Sequence, residues 1–196
     1  MQDKVRQLFT ESIQTQIAAG DTLAGVLEQS ALMIVQTLLT GNKVICCGYQ
    51  SCFTLSTHFA NLLINHFETE RPCLPAITLN SDLNSMSTVA RDVNHAEHFS
   101  RQVRALANPG DLLLAFSLTG NEAPVVAAIE SALTKDLAII AFNGEEGHDI
   151  SGLLGNNDIE VKVPSKRPAR IMEGHLFHIH LLAELIDETL FPQQEA

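Results

Sequence analysis

The sequence predicts a doubly wound α/β sandwich, a five-stranded parallel sheet preceded by an N-terminal helical hairpin, and two observations carry that prediction. Five short apolar runs at 43–47, 76–79, 112–117, 137–142 and 159–163 have the length and composition of buried strands. Between them lie stretches with apolar residues three and four apart, near Ser51–Phe67, Ser85–Leu106, Val125–Leu133 and Ala169–Leu190, as helices require. Strands that alternate with helices need crossover connections, which make the strands parallel and put helices on both faces.

The hairpin is read from the first 41 residues. Val5, Leu8, Phe9, Ile13 and Ile17 repeat at helical spacing up to Gly20-Asp21, which reads as a stop. Val26, Leu27, Ala31, Ile34, Val35 and Leu38 then form a second helical pattern that ends at Gly41-Asn42. The 196 residues are enough for one sizeable core and short for two. A single domain over 1–196 is expected, with the hairpin at 1–41 and the sandwich at 42–196.

Composition excludes several classes. With 45% hydrophobic and 18% charged residues the chain is too apolar for disorder. A formal charge of −11 opposes the phosphates of DNA, and no Lys/Arg stripe offsets it, so direct nucleic-acid binding is not expected. The apolar runs are each too short for a bilayer, and the first residues lack a basic and then apolar leader, so the expectation is a cytoplasmic protein with no membrane contact. Cys46, Cys47, Cys52 and Cys73 form no CxxC pair and read as reduced thiols.

In a doubly wound sheet, ligands bind beyond the carboxyl ends of the strands. Two loops qualify. In the first, Cys47-Gly48-Tyr49-Gln50-Ser51-Cys52, Gly48 allows a sharp turn and Ser51 is placed to cap the next helix. Its free N–H groups make either an anion cradle or an ordinary βα turn. The second, Ser117-Leu118-Thr119-Gly120-Asn121-Glu122, sets two hydroxyls and a glycine before a helix that starts with proline, which suits a sugar phosphate. Glu122 opposes that use, because a carboxylate there takes the place of the phosphate charge. Two unit charges about 4 Å apart at an effective dielectric near 20 repel by roughly 4 kcal/mol, about three orders of magnitude in affinity.

Gly48–Ala60, Ser117–Asn121 and Arg170–His180 resemble the ligand loops and catalytic helices of sugar isomerase (SIS) domain proteins of the sedoheptulose-7-phosphate isomerase type. The likeness runs over nearly the whole chain and implies a flavodoxin-like sheet. Phe9–Ala19, Phe67–Pro72 and Leu190-Phe191-Pro192 further resemble a branch of that family that serves the replication initiator DnaA. That resemblance implies a homotetramer that binds DnaA and promotes its assembly at the chromosomal origin. By the same resemblance, His58 and His180 match the two histidines of the isomerase site. Leu62 and Met172 stand where the isomerases carry a glutamate and a glutamine, and Glu122 stands in place of a serine.

The expected site is therefore a vestigial sugar-phosphate site of Gly48, Ser51, Cys52, His58, Ser117, Thr119, Glu122 and His180, with no catalytic set, cofactor or metal. His175, His178 and His180 are not expected to hold zinc, because His180 points away from the other two on a helix. A weakened sugar-phosphate ligand, as in an isomerase or a sensor, stays open beside the adaptor reading. Leu190 and Phe191, near the end of the chain, are the expected partner-binding residues, with docking onto the chain's own core as the alternative.

Overall fold

The structure is a computed structural model, and it describes residues 1–79, 87–88 and 94–192. The elements are α1 (Gln2–Leu39), β1 (Val44–Gly48), α2 (Cys52–Ile64), β2 (Ala76–Thr78), a 3-10 turn at His95–Glu97, α3 (His98–Leu106), β3 (Leu112–Phe116), α4 (Ala123–Leu133), β4 (Ala138–Asn143), α5 (His148–Leu153), β5 (Ile159–Lys162) and α6 (Pro168–Leu190). The five strands lie in the order β2-β1-β3-β4-β5, all parallel, as predicted. α3 is the end of the helix expected over 85–106, whose earlier part falls largely outside the described residues. The short α5 was not foreseen.

Alternate residues along each strand face opposite layers. Val44, Cys46, Leu112, Leu114, Ile140 and Phe142 join one core with α1, α2 and α6. Ile45, Cys47, Leu113, Ala115, Ile139 and Ala141 join the other with α3, α4 and α5. Both faces of β3 are sealed, which is why the central strands read as unbroken apolar runs rather than as alternating ones.

The expected hairpin is instead one helix of 38 residues. Its buried register, Ala19, Leu23, Leu27, Ala31 and Ile34, runs straight through Gly20-Asp21 without a change of phase. A glycine inside a helix costs about 1 kcal/mol, less than burying one leucine returns. The N-terminal half of α1 is also fastened to α6. The Ser12 hydroxyl donates to Glu173 at 2.7 Å, Arg170 donates to the Leu8 carbonyl at 2.9 Å, and Glu11 pairs with Arg167. By length and composition α1 could cross a bilayer, which the reading of separate short runs missed. Its buried face, however, is spent on the sheet.

The order β2-β1-β3 sends the chain in opposite directions from β1, so a crevice opens between the loops that follow β1 and β3. Both candidate loops lie there.

Candidate functional site

The loop after β1 is closed by its own atoms. A Cβ on Gly48 would stand 2.3 Å from the Cys52 carbonyl oxygen, so the turn requires glycine. The N–H groups of Cys52 and Phe53, the first two of α2, donate to the carbonyls of Tyr49 and Gln50 at 3.0 and 3.1 Å. Ser51 occupies the cap position but makes no side-chain cap bond. The expected Ser51 cap is therefore not formed, and of the two readings of this loop the ordinary βα turn fits, because loop carbonyls hold the first two donors of the helix. Tyr49 fills the loop further, its hydroxyl paired with His95 at 2.7 Å. Cys52 is buried beneath, its thiol pushed up to about 12 by burial and then by the charge of Glu122.

The loop after β3 does form a cradle, and Glu122 occupies it. The Ser117 hydroxyl and the backbone N–H groups of Leu118 and Thr119 all donate to this carboxylate, the latter two at 3.1 and 3.3 Å. The Gly120 N–H donates to the Ser117 oxygen at 2.6 Å and orients its hydroxyl toward the carboxylate. Gly120 has φ +81°, and a Cβ there would meet the Gly147 carbonyl at 2.2 Å. Burial raises the Glu122 pKa, yet the bonds from Ser117 and the loop amides outweigh it and hold the group below the ordinary carboxylate range. The Thr119 hydroxyl donates to Asn121 at 2.5 Å. An external phosphate would need the donors that Glu122 already holds.

α2 and α6 bring His58 and His180 together, 122 residues apart in sequence, with Nε2 to Nε2 at 2.9 Å. One ring donates and the other accepts, so the pair holds at least one neutral imidazole. Burial, then the neighbouring His180, lowers the His58 pKa. Phe67 stacks on His180 with ring centroids 5.6 Å apart. Leu62, one helical turn from His58, is buried, and Met172 packs against the same core. Aldose–ketose isomerisation requires a base in reach of the transferred proton and groups that stabilise an enediolate. Here each imidazole spends its Nε2 on the other, and Leu62, one turn from His58, is apolar.

His175 and His178 share the buried face of α6, away from His180 as the helical spacing required. His175 contacts the Asn143 carbonyl at 3.2 Å. Burial carries its pKa down to about 3 and that of His178 to about 4. In the unfolded chain both return to about 6.5, so as the pH falls the unfolded state takes up protons first. Their stability is complete above about 6.5 and is lost as the pH drops toward 4 and then 3. Urea denaturation should register a loss on the order of a few kcal/mol between neutral pH and pH about 4.5, and His178→Leu should remove its share of the slope. An unchanged slope in that variant would assign the loss to the carboxylates.

Leu190 ends α6 and Phe191 caps it; both are half-buried against the core of α1, α2 and α6. Arg71, which sequence reasoning missed, fixes this end. It donates to Asp187 at 2.6 Å and to the carbonyls of Leu62 and Leu63 at 2.9 Å, and lies 5.8 Å from the centre of the Phe191 ring.

Residues 8–144 match the family model described as SIS domain. A phosphoheptose isomerase of Colwellia psychrerythraea is 51% identical over the full length of both chains. The DnaA initiator-associating protein DiaA of Escherichia coli is 48% identical, again over the full length of both. Among solved structures, a phosphoheptose isomerase from Francisella tularensis superposes with a TM-score of 0.92 at 35% identity, covering 95% of this chain and 97% of that one. The relatives thus carry two different names on one architecture, and that architecture and the matched residues make this chain a member of the SIS-domain family.

Proposed function

We propose that this chain is a non-catalytic SIS-domain adaptor that binds a DnaA-type replication initiator and promotes its assembly at the chromosomal origin, acting in the cytoplasm as a homotetramer of one-domain subunits. The observation that carries the reading is the Glu122 carboxylate seated on the donors of the β3 loop. An enzyme that must bind a phosphosugar gains nothing from a fixed anion there. A protein released from that task tolerates it, and also tolerates the apolar Leu62 one turn from His58 and the apolar Met172 on α6. The full-length likeness to DiaA supplies the partner. Gly48, Ser51, Cys52, His58, Ser117, Thr119 and His180 are then remnants of a ligand site, and Leu190 and Phe191 are the contact for the initiator.

Self-association is supported by α1. Val5, Phe9, Ile13 and Ile17, four residues apart, are 48–66% exposed along one stripe, an apolar face suited to a second copy of the chain.

The retained contact of His58 with His180 and the identity to a phosphoheptose isomerase favour a second reading, an isomerase or sugar-phosphate sensor. Capture of purified DnaA by the immobilised chain separates the two. The adaptor retains DnaA without nucleic acid present, and an isomerase of this family does not.

A further inference from the structure

Beside the Arg71 clasp a cleft of about 760 Å³ opens between the segment that follows α2 and the last turns of α6. Its apolar part is Phe67, Phe191 and Pro192. Its rim carries Glu68, Glu70, Glu184, Asp187 and Glu188. Arg71, the cation among them, has a side chain only 3% exposed and is consumed by Asp187 and by backbone carbonyls, so the remaining four carboxylates face the opening without an ion pair among the described residues.

The arrangement is unfavourable for the isolated chain. Glu184 and Glu188 are one turn apart on one face of α6, where like charges repel. Asp187 and Glu188 stand in its last turn, where the helix dipole disfavours negative charge, and no basic residue is present there to offset it. A cavity with aromatic walls and a rim of one charge sign fits an occupant of opposite sign with an apolar anchor.

We propose that this cleft is a docking groove for a basic amphipathic segment of a partner protein, an apolar or aromatic side chain entering between Phe67 and Phe191 and flanking lysines or arginines meeting the four rim glutamates. The groove is continuous with Phe191, so the proposal rests on the reading that Leu190 and Phe191 contact the initiator, and it names the chemistry of the segment that would do so. A groove contact of this kind gives opposite charges on the two proteins and an association rate that falls with salt.

The test uses the full chain and two probes: a fluorescein-labelled amphipathic peptide with one tryptophan flanked by lysines, and purified DnaA. The groove variant is Glu68→Gln, Glu70→Gln, Glu184→Gln and Glu188→Gln combined. A control with the same net charge carries Asp3→Asn, Glu28→Gln, Glu130→Gln and Glu145→Gln, all at exposed positions. The peptide should bind the wild type and the control alike at low salt, and the groove variant at least about tenfold more weakly. DnaA should associate more slowly with the groove variant and with a shallower salt dependence. Equal weakening in variant and control, or no peptide binding to the wild type, overturns the groove. DnaA binding to the groove variant with wild-type rate and salt slope overturns its assignment to the initiator. Absence of DnaA binding to the wild type, with groove-specific peptide binding retained, refutes the initiator reading and leaves the groove to another basic partner.

Discussion

Changing Leu190 and Phe191 together to alanine should abolish capture of DnaA while the helical content measured by circular dichroism stays at the wild-type level. Both side chains lie at the end of α6, Leu190 as its last residue and Phe191 as its cap. Phe191 forms part of the wall of the acidic cleft. Truncating an interface anchor of this type costs about 2 kcal/mol or more per residue, so the double change removes at least two to three orders of magnitude in affinity. In a tetramer the loss is multiplied, because the anchor is displayed on each subunit and binding of several DnaA molecules depends on all of them. The core docking kept as the alternative in the sequence reading adds a cost. Both residues also pack on the chain's own core, so the variant should unfold at lower urea, with the Arg71–Asp187 clasp holding the helix end in place. Undiminished capture, or a collapse of helical signal along with capture, would leave both residues with a core role alone.

Glu122→Ser should turn an occupied cradle into an open one. Removing the carboxylate frees the Ser117 hydroxyl and the Leu118 and Thr119 amides, and it removes a repulsion of roughly 4 kcal/mol between unit charges about 4 Å apart. Calorimetry with sedoheptulose 7-phosphate or inorganic phosphate should then detect binding in the variant that is about a thousandfold weaker, or undetectable, in the wild type. Equal affinity in the two proteins would mean that the loop is not where the anion binds. DnaA capture should be unaffected, since residue 122 lies on the loop between β3 and α4 and the proposed partner contact is at the end of α6.

The sheet was legible because each strand carries its own evidence. Leu112–Phe116 is apolar throughout and buried on both faces, so no register or partner need be known to recognise it. Glu122 was legible as an obstacle for a similar reason: a carboxylate before a proline-initiated helix competes with any anion at that helix. What the local pattern concealed was set by distant partners. Gly20-Asp21 looks like a stop until α6 and the sheet are in place and the register from Ala19 to Ile34 is seen to be continuous. Arg71 gives no signal of its role, because Asp187 is 116 residues away and its other acceptors are backbone carbonyls. At the loop after β1 the sequence left an anion cradle and an ordinary βα turn both open, and Tyr49 and Gln50 supply carbonyls, which every residue has, to two amides that an anion would otherwise have used. His58 and His180 were paired through family resemblance alone, and only the crossing of α2 with α6 turns that into a 2.9 Å contact.

The central claim is that the isomerase site has been converted into a packed, self-satisfied remnant. Turnover of sedoheptulose 7-phosphate by the purified wild-type chain, followed with and without added zinc, tests it most directly. The account predicts no product above the protein-free rate in either condition, and none after Leu62→Glu and Met172→Gln are introduced together, because Glu122 still holds the phosphate donors. Turnover by the wild type at the level of an authentic phosphoheptose isomerase would contradict it.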